Sequence, residues 1–399
     1  MIYKMIFSHL FGKRKGVIIV LCFLIVNSLH AEHETVSNEV QETTYTPTVE
    51  TSYHPDTSAK SVNEVLNPVL QKAPDWTRDV ADRIKLHGYA QGAYTYNHVN
   101  GENSNGFRMK RVIFWVDAQI TKQWSFSFMH DFSSVVQEYY TDFNFFKGKK
   151  YLTARFGQFK HAFSYENPLS PTAMETIDVY SEGVTYLAGC GSDPMFGVSY
   201  GREMGIALYG EAFRGKFAYN FQVLNGCIIN KFDNNNQKDM IVRLEYRPVK
   251  GLNIVATART GRGQNIMATT SELTGIAAGQ RYVRNRFSVG GAYDCKWIRM
   301  HGEYLEGKDG TAISRGGYLT ASIPSGVKNL EFVTSYDYFN YNTARDYDQH
   351  KAVFGIQYWF FRKCRAQAQY IYKSADISSG SYIRGANHGI QVQLQVRFN

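Results

Sequence analysis

Thirteen basic side chains recur at alternate positions of short apolar–polar segments: Lys85, Arg111, Arg155, Arg243, Arg247, Arg259, Arg284, Arg286, Arg299, Lys351, Arg365, Lys373 and Arg397. Nine acidic side chains share their phase: Asp117, Asp131, Glu138, Asp142, Glu211, Glu245, Glu303, Glu331 and Asp337. Guanidinium and ammonium groups set in rows attract anions, orient them by charge-assisted hydrogen bonds and release them again. The basic excess is mild, so it favours anions without building a tight site. Taken singly, each of these residues reads more simply as half of an ion pair.

Other chemistries find little support. Ser127, Ser288 and Ser322 have no histidine and carboxylate spaced to activate them, so no catalytic residues are assigned and the chain does not read as an enzyme. Asp233-Asn234-Asn235-Asn236 is rich in oxygen ligands but lacks the spacing and the following Glu of a calcium loop. No CxxC or His/Cys metal spacing occurs, and neither a metal nor a cofactor is implied. Four cysteines lie beyond residue 31; Cys190 and Cys227 fall in expected outer loops, where pairing is open to them, and unpaired thiols are the simpler reading. His87 and His301 are expected beside wall charges.

The elements that would carry these charges are two-faced strands. In 389–399, Ile390, Val392, Leu394, Val396 and Phe398 share one face, and Gln391, Gln393, Gln395 and Arg397 the other. An apolar face ending in an aromatic and a wet face opposite suit a strand of a transmembrane barrel. The same alternation recurs from residue 84 onward in about sixteen segments: five before residue 160, and eleven from 202 to 398. Short connections (121–123, 147–149, 214–215, 248–251, 294–296, 324–329, 361–364) alternate with long ones (97–106, 160–201, 226–237, 261–280, 339–349, 374–387). Short turns on one side and long loops on the other are the rule of outer-membrane barrels. The expected fold is therefore an all-β, antiparallel barrel with a water-filled lumen. The mean hydropathy of −0.35 agrees, because half of each barrel strand is polar.

The N-terminal part reads differently. Residues 1–31 resemble a signal peptide: Lys13-Arg14-Lys15, an apolar run from Val17 to Val26, and Ser28-Leu29-His30-Ala31 as an imperfect cleavage site. Residues 32–83, acidic and rich in Thr, Ser, Glu and Val, read as a mostly disordered periplasmic extension, and 84–399 as the barrel. A net charge of +9 is compatible with nucleic-acid binding, but an exported barrel is expected to meet small anionic or hydrophilic solutes and outer-membrane lipid instead.

Specific residues then narrow the reading. Phe156-Gly157-Gln158-Phe159-Lys160 runs into Phe163-Ser164-Tyr165-Glu166. With Phe107-Arg108-Met109-Lys110-Arg111, Leu224-Asn225-Gly226, and Lys238-Asp239 to Arg243 then Pro248, this resembles the phosphate-selective porin O and P family. The resemblance implies a sixteen-stranded, homotrimeric porin of the bacterial outer membrane whose long third loop folds into the lumen as a constriction. It would give passive diffusion to small hydrophilic solutes, with anions such as phosphate foremost. By position it implies Arg111, Arg155 and Lys160 as constriction lining; from the residues themselves, Glu166 is expected to anchor or shape the loop, and His161, beside the expected constriction, is a candidate to titrate. Arg243, Arg259, Arg284, Arg286 and Arg299 would line the lumen wall. Two departures stand out: Ala162 replaces the usual Pro, and 161–201 contains no Lys or Arg but does contain Glu166, Glu175, Asp178, Glu182 and Asp193. The alternative reading is a non-transport barrel serving as a surface adhesin or assembly protein.

Overall fold

The structure is a computed structural model that describes residues 82–193, 195–233, 236–377 and 385–398. The expected signal peptide, almost all of the extension 32–83 and part of the loop 374–387 lie outside the described residues.

The chain forms strands β1 (Ile84–Val99), β2 (Glu102–Gln119), β3 (Trp124–Asp131), β4 (Val136–Asn144) and β5 (Thr153–Lys160). A long segment follows, holding helix α1 (Glu182–Leu187) and a small hairpin, β6 (Ser192–Asp193) with β7 (Gly197–Val198). Then come β8 (Arg202–Ala212), β9 (Phe217–Leu224), β10 (Asp239–Tyr246), β11 (Leu252–Gln264), β12 (Arg281–Cys295) and β13 (Ile298–Asp309). The last five are β14 (Ala312–Pro324), β15 (Leu330–Asn340), β16 (Asp348–Phe361), β17 (Cys364–Ala375) and β18 (Gly385–Phe398). All but β6 and β7 make one closed antiparallel barrel of sixteen strands. Closure joins the ends of the domain, with Gly88 opposite Phe398 and Val99 opposite Asn387.

Alternation sorts the side chains as expected. In β10 every second residue is buried, and Met240, Val242 and Leu244 are exposed between them. Phe126, Phe128, Phe156, Leu319, Phe332, Phe354 and Leu394 are likewise exposed, forming an apolar outer belt. Phe145, Phe146, Tyr151, Tyr246, Tyr293, Trp297, Tyr358 and Phe360 gather by the connections on one side, as an aromatic girdle would. Among the described residues no helix is long and apolar enough to cross a membrane, which says nothing of a barrel built from strands.

Two details depart from the sequence reading. Residues 97–106 are not a loop. They extend β1 and β2 into a tall hairpin turned by Asn100-Gly101, whose φ angles of 49° and 85° suit a tight two-residue turn. Both faces of this hairpin are polar or open to water, so alternation gave no sign of it. The barrel interior is also not simply wet. Val184, Leu187 and Ala188 at the helix pack with Leu305, Phe339 and Tyr341 into a buried apolar cluster. The inward register thus carries a packed core on the α1 side.

Candidate functional site

The segment 161–201 leaves β5 and is buried for most of its length. A buried loop must satisfy its backbone, and wall side chains do this. The N–H groups of Ala162, Ser164, Tyr165, Ile177 and Glu182 donate to Gln222, Thr257, Glu303, Gln369 and Asp337 at 2.6–3.1 Å. Its carbonyls accept from the same register. Glu175 O receives Gln367 (2.9 Å) and Gln369 (2.7 Å), Met174 O receives Arg365 (2.5 Å), and Ile177 O receives Lys110 (2.8 Å). The glutamines of β17 and β18 are peptide-like groups placed where a peptide needs partners. Asn167 clips the loop's two ends together, donating to His161 O (2.8 Å) and Gly201 O (3.0 Å).

The loop's carboxylates meet wall cations. Asp178 binds Lys110 at 3.1 Å, and Glu182 binds Lys351 and Lys373 at 2.9 and 3.0 Å. Glu175 lies 3.9 Å from Arg299 and 3.6 Å from His301, and Glu166 lies 3.3 Å from His301. Asp193 accepts from the N–H groups of Met195 and Phe196. Burial alone would push Asp178 and Glu182 up, but Lys110 in the first case and Lys351 with Lys373 in the second outweigh it and hold both below the usual carboxylate range. Lys110 reaches inward because of a bulge: Gln91 pairs with Arg111 and Gly92 with Met109, so one residue is extra and both Lys110 and Arg111 turn toward the interior.

Between loop residues 162–171 and the wall of β1–β5 and β8–β10 remains a space of about 80 Å³, open to solvent on one side. Arg155, Lys160, Arg202 and Arg243 line it, against a single carboxylate, Glu138. Arg155 donates to both oxygens of Asp142 at 2.8 Å and stacks 3.7 Å from the Tyr140 ring centre. Arg202 donates to Glu138 at 2.9 Å, and Arg243 to Glu245 at 2.7 Å. Lys160 donates to Leu169 O at 2.5 Å and Tyr180 Oη at 3.3 Å.

Of the expected constriction residues, the structure therefore brings Arg155 and Lys160 to this space. Arg111 instead donates to Gln91 at 3.0 Å. Glu166 is buried, accepting from Ser181 N–H at 2.8 Å within the loop. His161 is wholly buried: Nε2 faces Ala188 O at 2.8 Å and Nδ1 faces the Asn167 amide at 3.1 Å. Burial first, then Arg259, keeps its pKa well below the usual histidine value. The wall arginines all sit beside carboxylates. Arg259 and Arg284 share Asp239 at 2.6 Å, Arg286 meets Asp309 at 3.0 Å, and Arg299 meets Glu331 at 2.6 Å. Arg202 escaped the sequence reading because it opens a strand directly after the loop, where alternation has not yet begun. Its only signal was a basic residue at the far end of a loop without one. The described cysteines are unpaired: Cys190 Sγ donates to Asn167 Oδ1 and Cys227 Sγ to Lys231 O. No metal-ligating cluster occurs among the described residues.

The anion-selective porin from Comamonas acidovorans is 16% identical with a TM-score of 0.55, covering 79% of this chain and 99% of that one. OmpT of Vibrio cholerae in its trimer form is 13% identical with a TM-score of 0.53, covering 79% and 100%. OprB of Pseudomonas putida is 8% identical with a TM-score of 0.59, covering 81% and 97%. At these identities the likeness is one of fold. No curated protein sequence matches the chain. The sequence model of phosphate-selective porin O and P matches residues 84–273, from β1 to the end of the β11–β12 connection's first half. The chain is thus a bacterial outer-membrane barrel with the porin fold, and its residues 84–273, a little under half of it, match the sequence model of phosphate-selective porin O and P.

Proposed function

We propose that the protein gives passive passage to small hydrophilic solutes with a preference for anions, inorganic phosphate belonging to that class, and that the 161–201 segment forms the constriction. One observation carries this reading. The acids of the loop are tied to cations or to their own backbone away from the open space, while four basic groups and one carboxylate line it. Fixed positive charge along a narrow wet path raises the local anion concentration. The residues proposed to act are Arg155, Lys160, Arg202 and Arg243, with Glu166 shaping the loop from behind. No catalytic step and no cofactor enter this reading. A homotrimer is the proposed assembly, supported by the trimeric form of the similar OmpT; a mass of one chain in mild detergent would overturn it.

The test is the zero-current potential of purified protein in a planar bilayer under a potassium chloride gradient. The expected sign is that of an anion-preferring path. Replacing Arg155 and Lys160 together by Glu should move the potential toward cations, and an unchanged potential would overturn the assignment. Absence of any current would return the adhesin reading.

A further inference from the structure

We propose that the space between the loop and the β1–β10 wall selects monovalent organic anions with an aromatic or apolar body, aromatic monocarboxylates foremost, over inorganic phosphate. The inference rests on the anion-porin reading above and narrows it.

Three of the four basic groups on this space arrive with their own carboxylate: Arg155 with Asp142, Arg202 with Glu138, Arg243 with Glu245. The described contacts of Lys160 are a carbonyl and a phenol, both neutral. Lys160 is therefore the one basic group on this space whose described contacts include no carboxylate. A phosphate dianion needs several convergent donors that are not already neutralised. A carboxylate needs one ammonium and a neighbouring donor.

The rest of the lining is largely apolar. Tyr89, Trp115, Met129 and Tyr209 stand on the wall side, and Pro168 and Pro171 on the loop side. Trp115 is held edge-on to Tyr89 with ring centres 6.4 Å apart and is stacked on His87 at 4.8 Å. These rings are fixed before any solute arrives, so contact with them costs little ordering. Inorganic phosphate gains nothing from aromatic, thioether and pyrrolidine surfaces, whereas a benzene ring gains from all three. A solute with its carboxylate toward Lys160 and its ring against this apolar lining uses both halves of the site.

The experiment reads chloride current through the full-length protein in planar bilayers while benzoate, acetate or phosphate is added at neutral pH. Benzoate should halve the current at about one-tenth of the acetate concentration, the gain expected from one good aromatic contact. Phosphate should be no more effective than acetate. Trp115→Leu should remove the benzoate advantage, and Lys160→Gln should weaken benzoate and acetate alike. Heat-modifiable migration on gels reports that each variant is folded, and Tyr89→Leu serves if Trp115→Leu is not. Anion-selective current blocked more strongly by phosphate than by benzoate would overturn this inference and leave the porin reading standing. Current without anion preference would overturn both. A benzoate advantage that survives in the folded aromatic variants would overturn the assignment to this space.

Discussion

Glu182 holds two ammonium groups with one carboxylate oxygen, Lys351 at 2.9 Å and Lys373 at 3.0 Å. Glu182→Gln leaves those cations facing each other with less compensation, since Lys351 retains only Asp337 at 3.7 Å among its described ion pairs. The expected loss in loop docking is on the order of 2 kcal/mol. It should be read as flickering open-channel current with the barrel still folded; quiet current would show that the pair does not hold the loop. The pH dependence has a definite sign. Asp178 and Glu182 have folded pKa values below their unfolded ones. Their contribution is complete above the unfolded carboxylate value, about 4, and is lost only as pH falls below it. The part of loop docking that Asp178 and Glu182 supply should therefore be lost only under acid below about pH 4, read as a rise in current noise and in protease access to the loop that Asp178→Asn abolishes. His161 adds no step near neutrality, because its ring is buried and both nitrogens are engaged.

At the scale of elements, Gly157 explains part of a motif. Its φ is 138°, and a Cβ there would lie 2.3 Å from Tyr139 O on β4. Gly157→Ala should cost on the order of 1–3 kcal/mol from backbone conformation, with the clash in addition. A reduced yield of folded barrel is expected, and a wild-type yield would show that the strand pair relaxes freely. The sixteen strands were legible because one face of each meets an apolar surround and the other does not. Lys110 was not legible as an inward group. A strict period of two forbids neighbours such as Lys110 and Arg111 from sharing a face, and only the bulge permits it. The first hairpin was missed for the opposite reason: with water on both faces, nothing imposes alternation. The acidic loop appeared at odds with an anion path because sequence order says nothing of which distant cation each carboxylate meets.

Across the whole molecule, the barrel and its loop form one hydrogen-bonded body. The loop is fastened to β2 through Lys110 and Asp178, to β11 through Thr257, to β13 through Glu303 and to β15 through Asp337. It is fastened to β17 and β18 through Gln367, Gln369 and Gln391. Most of these partners come later in the chain than the loop itself, and the last lie on the strand that closes the barrel against β1. Order of assembly follows from this arrangement. The segment cannot hold all of these partners until β17 and β18 are in place, so its complete hydrogen-bonded seat depends on the last strands of the chain. On the constriction proposed above, completing the fold and narrowing the path are then one and the same event.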